Sequence, residues 1–484
     1  MKYSTCLLFA QLVTSAFAFK LTKRENPKVV GLDIQRRHVA NPITHDRLRK
    51  RQKTVQQTLD NLETLYFANA TLGTPEQNFR LHIDTGSSDL WVNAANSRLC
   101  QGDEDPCSIS GTYDANSSST YKFVNKDFNI SYVDGSGASG DYVSDTFRFG
   151  GQTIEDLQFG VGYTSSSKQG ILGIGYTANE VQVNRARGQA YPNLPQKLKD
   201  NGEINANAYS IWLNDLDAST GSILFGGVDT AKYNGQLGKL PIIPVQEGLF
   251  AEFVIVMTGL GSNGNKGSIF NNQNVAVLLD TGSSLMYLPD NVVRALYSSY
   301  NAQYDPQQGA AFVDCSLRNQ QGSLDFSFSE LTISVPYNEL VLEAGTTSRG
   351  EVVCMLGIGP SGESTVVLGD TFLRSAYVVY DLENNQIGLA QTNFNATDSS
   401  VSEIQSGEDG VPNASAVRNA VTAISVAPGG GRIAGPTINP TAAIMISTAS
   451  SSGAAMPAIT AHPWLAPAGA AIAGAGIMMG FNGF

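Results

Sequence analysis

From Thr64 onward, short apolar runs alternate with turn residues. β-Branched and aromatic residues recur at every second position in Thr64–Thr71 and Asn78–Ile83, which Gly73-Thr74-Pro75 separates. A period of two is typical of half-buried strands. The same pattern predicts further strands over Tyr121–Tyr132, Asp141–Phe149, Ala208–Leu213, Ser222–Gly227, Phe253–Thr258, Val275–Leu279, Leu324–Val335, Val366–Leu368 and Tyr377–Tyr380. Helical patterns are confined to Asn193–Asn201 and Pro289–Tyr300. We therefore predict an all-β fold with a few short helices.

The chain repeats one apolar-Asp-Thr-Gly-Ser-Ser motif. It occurs around Asp84 and returns around Asp280, and each copy is followed at the same offset by an apolar-apolar-Gly segment, ending at Gly173 and Gly369. Self-similarity of this kind indicates internal duplication. We expect each glycine segment to lie close beside its aspartate loop, because glycine allows such an approach.

Duplication places one carboxylate in each half of the chain. Across a pseudo-twofold axis, Asp84 and Asp280 would form an acid/base pair, because two carboxylates at close range do not both ionise. The pair would titrate as a unit and would hold one water molecule. This arrangement predicts hydrolysis at acidic pH, without metal or cofactor.

The residues after each aspartate fit supporting roles. A glycine amide can approach the carboxylate, a threonine hydroxyl can reach across the interface, and a serine can hydrogen-bond the outer carboxylate oxygen. These residues are Thr85, Gly86 and Ser87 in the first copy, and Thr281, Gly282 and Ser283 in the second.

The paired motifs resemble those of pepsin-family aspartic endopeptidases, over residues 65–392. Val367-Leu368-Gly369-Asp370-Thr371-Phe372-Leu373-Arg374 and Ile387-Gly388-Leu389-Ala390 also match that family. The resemblance implies two lobes, residues 52–238 and 239–395, with a central cleft for an extended peptide. It further implies a flap hairpin carrying Tyr132, supported by Trp91, although Val133 stands where the family usually has glycine.

The N-terminus predicts export and a precursor. Residues 1–18 combine Lys2, an apolar core and Ala16-Phe17-Ala18, which is typical of a signal peptide. Residues 19–51 carry ten Lys or Arg against three acidic residues, whereas the whole chain has a net charge of −12. We expect a propeptide held by charge and removed after Arg49-Lys50-Arg51; a disordered nucleic-acid-binding arm is the alternative, which conflicts with secretion.

The cysteines and sequons suit an exported protein. Cys6 lies in the signal peptide, and the other four cysteines predict two disulfides, of which we favour Cys100–Cys107 and Cys315–Cys354 over the two other connectivities. The spacing matches no zinc pattern, so we expect no metal. Sequons predict N-glycans at Asn69, Asn116, Asn129, Asn395 and Asn413.

The C-terminus changes composition. Residues 396–452 are rich in Ser, Thr, Ala, Gly and Pro and predict a flexible stalk. Residues 453–484 combine small residues, a spacer and an uncharged tail, which is the pattern of a glycosylphosphatidylinositol (GPI) anchor signal. A C-terminal transmembrane helix is the alternative, although the tail has no basic cytoplasmic flank.

Together these features predict a monomeric, GPI-anchored endopeptidase that acts on polypeptides at the cell surface and binds no nucleic acid. The anchor signal and the acidic character resemble those of fungal yapsin-type proteases, which implies cleavage beside Lys or Arg. The acidic loop at 101–106 would attract such residues, or it is simply a solvated turn. A non-catalytic pepsin-like binding or inhibitor module and a cell-wall structural glycoprotein are the competing functions.

Overall fold

Short strands dominate the molecule. The computed structural model describes residues 28–39, 62–102, 105–132, 136–184, 187–218, 220–347, 349–362 and 364–424. Within these residues the strands form sheets of 14, 2, 7 and 4 strands, which confirms the all-β prediction. No helix in those ranges is long and apolar enough to cross a membrane. The predicted signal peptide and anchor signal lie outside the described residues.

The first half of the described chain contains twelve strands and two short α-helices. The strands are β1 (Val30–Val39), β2 (Leu62–Leu72), β3 (Gln77–Asp84), β4 (Leu90–Asn93), β5 (Lys122–Ser131), β6 (Gly137–Phe149), β7 (Gln152–Ser165), β8 (Ile171–Gly173), β9 (Ala208–Trp212), β10 (Thr220–Phe225), β11 (Gly227–Asp229) and β12 (Tyr233–Pro241). The helices are α1 (Val181–Asn184) and α2 (Leu194–Asp200), and 3₁₀ turns occupy Ala115–Ser117 and Thr177–Asn179.

The second half contains the remaining strands and three helices. The strands are β13 (Val254–Ser262), β14 (Asn265–Leu279), β15 (Met286–Leu288), β16 (Gln303–Asp305), β17 (Ala310–Val313), β18 (Ser323–Phe328), β19 (Leu331–Pro336), β20 (Val341–Thr346), β21 (Val352–Leu356), β22 (Ile358–Pro360), β23 (Val366–Leu368), β24 (Ala376–Asp381), β25 (Gln386–Thr392), β26 (Val401–Glu403) and β27 (Ala414–Ala416). The helices are α3 (Asp290–Ser299), α4 (Tyr337–Leu340) and α5 (Asp370–Leu373), with a 3₁₀ turn at Cys315–Asn319. Both predicted helical stretches are confirmed, as α2 and α3.

The duplication appears as the same three-strand unit in each half. β8 lies between β3 and β4, parallel to the first and antiparallel to the second, and β23 lies in the same way between β14 and β15. A Cβ added to Gly173 would lie 2.7 Å from the backbone nitrogen of Ser88, and one on Gly369 would lie 2.2 Å from the carbonyl oxygen of Ser283. The glycine segments therefore lie against the aspartate loops as predicted.

Strands from both halves share the large sheet. Its order includes β12-β25-β24-β9-β10-β1-β2, so β24 and β25 of the second half pair with strands of the first. The predicted lobe boundary at 238/239 falls inside β12, where Gly238 and Lys239 pair with Leu389 and Gly388. A strand of the sheet that joins the two halves therefore runs through the predicted boundary.

Part of the predicted propeptide is built into this sheet. β1 lies between β10 and β2 and pairs with both, from Val30 opposite Phe225 to Gln35 opposite Phe67. Val30 and Ile34 are 2% and 1% exposed and belong to the main core. Backbone pairing and apolar burial therefore hold residues 28–39, beyond the charge attraction that we expected. The processing site at Arg51 lies outside the described residues and stays a prediction.

The predicted flexible stalk is wrong for residues 396–424. β26 pairs with β11 and β27 pairs with β12, while Ile404 and Val411 are 0% and 5% exposed. Lys239 donates to Asp409 Oδ1 at 2.9 Å, which further holds the segment. Three-residue strands among Gly, Ser and Pro leave no periodicity, so sequence pattern did not show them. Residues 425–452 of the predicted stalk lie outside the described residues.

One strand that the sequence pattern predicted is two strands in the structure. The run Leu324–Val335 is a hairpin of β18 and β19, in which Phe328 pairs with Leu331. Ser329 adopts a φ of +56°, in the left-handed region that suits a tight turn. The apolar alternation continues on both sides of this turn, which is why the pattern suggested one strand.

Candidate active site

The two motif aspartates lie at the ends of equivalent buried strands. Asp84 closes β3, and Asp280 follows β14; both are 0% exposed. The backbone amide of Gly86 donates to Asp84 Oδ1 at 2.8 Å, and Ser87 Oγ donates to Asp84 Oδ2 at 2.6 Å. These donors fix both oxygens of the first carboxyl group.

Asp280 has the same pair of donors. The backbone amide of Gly282 donates to Asp280 Oδ1 at 2.8 Å, and Ser283 Oγ donates to Asp280 Oδ2 at 2.8 Å. The glycine and serine roles expected from the motif are present in both halves. A buried carboxyl group held by such donors is fixed in orientation before a substrate binds.

The carboxyl groups face each other at close range. A Cβ on Gly282 would lie 2.4 Å from Asp84 Oδ1 and 2.9 Å from Asp280 Oδ1, and one on Gly86 would lie 2.5 Å from Asp280 Oδ1. Asp84 Oδ1 and Asp280 Oδ1 therefore approach the same position beside Gly282, which a residue without a side chain allows. The arrangement can act as general acid and general base on the same reacting molecule.

The two threonines lock the loops together across the axis. Thr85 Oγ1 accepts from the Thr281 amide at 3.0 Å and donates to the Leu279 carbonyl at 3.0 Å. Thr281 Oγ1 accepts from the Thr85 amide at 3.1 Å and donates to the Ile83 carbonyl at 2.9 Å. This reciprocal set of four buried hydrogen bonds fixes the distance between the halves.

The structure brings the two flap residues together. Trp91 Nε1 donates to the Tyr132 hydroxyl at 2.8 Å, and the side chains are 0% and 4% exposed. Tyr132 follows β5, and β6 begins at Gly137, so the tyrosine lies at the end of a hairpin. Residues 133–135 lie outside the described residues, so the conformation around Val133 stays open.

Sequence reasoning missed a polar wall behind the first aspartate loop. Asp89 is fully buried and accepts hydrogen bonds from the hydroxyls of Tyr142 at 2.6 Å and Tyr191 at 2.9 Å, and from the Val181 amide at 2.9 Å. Burial, with the charge of Asp89, raises the pKa of both phenols, so they remain donors. The equivalent position in the second motif is Leu285, and this asymmetry between the copies was the available signal.

His82 was also missed. It is 2% exposed, lies two residues before Asp84, and its Nε2 is 3.2 Å from the Thr281 carbonyl oxygen. Its ring also contacts Phe67, with centroids 5.6 Å apart. The sequence signal that could have identified His82 is a polar side chain inside a buried strand that ends at Asp84. Its contact adds a further link between the halves.

Both predicted disulfides are present, Cys100–Cys107 and Cys315–Cys354. All five sequon asparagines, Asn69, Asn116, Asn129, Asn395 and Asn413, are exposed. However, Asn413 Nδ2 donates to the Tyr233 hydroxyl at 3.0 Å and to the Gly235 carbonyl at 3.2 Å, and a glycan on that nitrogen would displace at least one of these bonds. No group of three or more His, Cys, Asp or Glu side chains in the described ranges is arranged to hold a metal ion.

Comparison with known proteins agrees with this geometry. The family model "Eukaryotic aspartyl protease" matches residues 65–392. The chain is 53% identical over 448 residues to "Probable aspartic-type endopeptidase opsB" of Aspergillus oryzae, covering 91% of this chain and 92% of the relative. It is 39% identical over 354 residues to "Secreted aspartic protease 3" of Candida albicans, covering 71% and 83%.

A solved structure shows the same fold. The crystal structure of aspartic proteinase from Irpex lacteus matches with a TM-score of 0.58 at 22% identity, over 77% of this chain and 100% of that chain. At this identity the likeness supports the fold alone. The family match and the curated relatives carry the assignment. The chain belongs to the eukaryotic aspartyl protease family and is an aspartic endopeptidase.

Proposed function

We propose that this chain is a secreted, GPI-anchored aspartic endopeptidase in which Asp84 and Asp280 hydrolyse peptide bonds at acidic pH. The observation that carries the proposal is the close approach of both carboxyl groups to one position beside Gly282, with each carboxyl group fixed by a glycine amide and a serine hydroxyl. A non-catalytic module typically lacks one aspartate or the flap tyrosine. Here Asp84, Asp280 and Tyr132 are all in place.

The chemistry follows from one shared proton. The ionised carboxylate takes a proton from a water molecule held between the aspartates, and the water oxygen attacks the scissile carbonyl carbon. The protonated carboxyl group donates to the carbonyl oxygen as the tetrahedral species forms. That species then collapses, with a proton passing to the leaving amine. No covalent bond to the enzyme forms at any stage.

The inhibitor profile tests this chemistry. The secreted protein, incubated with a denatured polypeptide at acidic pH, should cleave it, and a pepstatin-type transition-state analogue should block cleavage. A metal chelator and a serine-directed reagent serve as controls and should leave the rate unchanged. Block by the chelator, together with resistance to the analogue, would refute the dyad mechanism.

Export and anchoring rest on the two termini. The leading apolar segment and the likeness to "Secreted aspartic protease 3" of Candida albicans support export, and the anchor pattern at 453–484 supports anchoring. Intact cells that express the full chain should carry activity on their surface. A phosphatidylinositol-specific phospholipase should release that activity into the medium if the anchor is lipid. Activity that stays bound after this treatment, but comes off with detergent, would favour the transmembrane alternative.

Preference for basic residues rests on the acidic loop at 101–106. Asp105 is exposed, whereas Asp103 and Glu104 lie outside the described residues. A peptide library should show enrichment of Lys or Arg beside the cut, and a variant with Asp103→Asn, Glu104→Gln and Asp105→Asn should lose that enrichment. The exposed Asp127→Asn is a matched control. Unchanged enrichment in the triple variant would leave the loop as a solvated turn.

A further inference from the structure

A second pair of carboxyl groups contacts the aromatic cluster that contains the flap tyrosine, Tyr132, and takes no part in the proposed chemistry. Asp89 and Glu180 are both 0% exposed. Asp89 is surrounded by three donors, the Tyr142 and Tyr191 hydroxyls and the Val181 amide, and this environment suits an ionised carboxylate.

Glu180 has a different environment. Its Oε2 accepts from the Tyr191 amide at 2.9 Å, whereas its Oε1 has no hydrogen-bond partner among the described residues. The titratable groups that face it are Asp89, Tyr142 and Tyr191, and none of them supplies positive charge. Burial, and then the charge of Asp89, raises the pKa of Glu180 to about 10.

Glu180 begins a segment that supports the flap and the dyad loop. Its described residues, 180–184 and 187–193, include α1 and Tyr191, whose ring contacts that of Tyr142 with centroids 5.7 Å apart. Val181 and Tyr191 belong to one apolar cluster with Trp91 and Tyr132. Two residues further on, Asn193 Nδ2 donates to the Gly175 carbonyl at 2.8 Å. A displacement near Glu180 would therefore reach the wall on which Tyr132 rests.

We propose that Glu180 is a positioning residue whose carboxyl group must stay protonated, because its ionisation beside Asp89 detaches the segment 180–193 from the aromatic wall under Tyr132. The proton goes to solvent, and no other group is consumed. Loss of activity above the acidic range then begins in the first half of the molecule, at a site that does not touch the substrate.

The direction of the pH effect follows from linkage. An unfolded glutamate ionises near pH 4.5, so above that pH the unfolded state releases a proton that the folded state keeps. The stabilising contribution of Glu180 is complete below pH 4.5 and is lost as the pH rises toward 10. In that window the folding constant falls about tenfold per pH unit through this one group.

The variant Glu180→Gln tests the inference directly. Glutamine keeps the size and the acceptor for the Tyr191 amide but cannot ionise. Denaturant unfolding of the full chain should give similar midpoints for variant and wild type near pH 4. Between about pH 5 and 8 the variant's folding constant should rise relative to wild type by about tenfold per pH unit. The control Glu247→Gln, at an exposed position, should follow wild type.

Parallel pH curves for Glu180→Gln and wild type would overturn the inference. Since unfolding is measured without substrate, this result would be distinct from failure of the proposed function. Hydrogen exchange of the wild type gives a second measurement that needs no variant. As the pH rises from about 5 to 8, amides of 176–193 should lose protection, corrected for intrinsic exchange, before those of β13 and β18. Simultaneous loss in both regions would also contradict the inference.

Discussion

The two halves carry the same aspartate loop on different supports. Each loop has one glycine donor, one serine donor and one threonine in the cross-axis lock. Five residues after the aspartate, the first half has Asp89 and the second has Leu285, both buried. Both halves therefore share a catalytic-loop carboxyl group that is fixed by hydrogen bonds. The first half adds a second buried carboxyl group, that of Asp89, in the wall under the flap.

Buried glutamates sharpen the contrast. In the second half, Glu339 is fully buried but pairs with buried Arg374, whose Nε donates to Glu339 Oε2 at 2.5 Å, and its Oε1 accepts from the Leu216 amide at 2.9 Å. Burial acts to lower the pKa of Arg374, but the carboxylate of Glu339 raises it. Among the described residues of the first half, no such cation faces Glu180. Burial raises the pKa of Glu339, and the charge of Arg374 opposes that rise. Glu339 therefore has a buried cation as its partner, whereas Glu180 is stable as a neutral acid.

Replacing the two glutamates by glutamine should therefore have unequal consequences. Glu339→Gln leaves the Arg374 charge buried without its partner, so we expect the free energy of unfolding to fall by about 3–5 kcal/mol. Glu180→Gln near pH 4 should change it little, because the group is already neutral. Urea unfolding of Glu339→Gln near pH 7 and of Glu180→Gln near pH 4, each against wild type at the same pH, measures the difference. Equal losses would show that the two environments are alike.

The disulfides offer a smaller contrast between the halves. Cys100 and Cys107 are 7 residues apart, whereas Cys315 and Cys354 are 39 apart. Because a longer closed loop restricts the unfolded chain more, replacing the second pair by serine should cost about 1.5 kcal/mol more than replacing the first. Urea unfolding of the two double variants tests this. A larger cost for the Cys100–Cys107 pair would mean that its loop has a folding role beyond chain entropy.

The smallest expected effect concerns the flap support. Trp91→Phe keeps an aromatic ring but removes the hydrogen bond to the Tyr132 hydroxyl. The loss of one such bond is worth about 1 kcal/mol, so kcat/KM should fall about fivefold. Tyr132→Phe removes the same bond from the other side, and the double variant should be no worse than the poorer single variant. Additive losses would indicate that the two side chains act separately.

The sequence predicts those parts of the molecule that are local or repeated. The loops at Asp84 and Asp280, their glycine segments, both disulfides, α2 and α3 all follow from patterns within a few residues or from the duplication. β1 was missed because Arg36 and Arg37 interrupt the apolar alternation that Val30 and Ile34 belong to. The hydrogen bonds from the Val181 amide and the Tyr191 hydroxyl to Asp89 join distant segments of the chain, and no periodicity connects them.

The cleavage rate of the two single aspartate variants tests the central claim most directly. The value of kcat/KM for one peptide should be measured from about pH 2 to 8 for wild type, Asp84→Asn and Asp280→Asn. Wild type should show an acidic maximum, and each variant should fall by about 10³-fold or more across the range, because either change removes the shared proton. The exposed Asp127→Asn should match wild type. If either Asp84→Asn or Asp280→Asn keeps a kcat/KM within tenfold of the wild-type value, that result would contradict catalysis by a pair of aspartates.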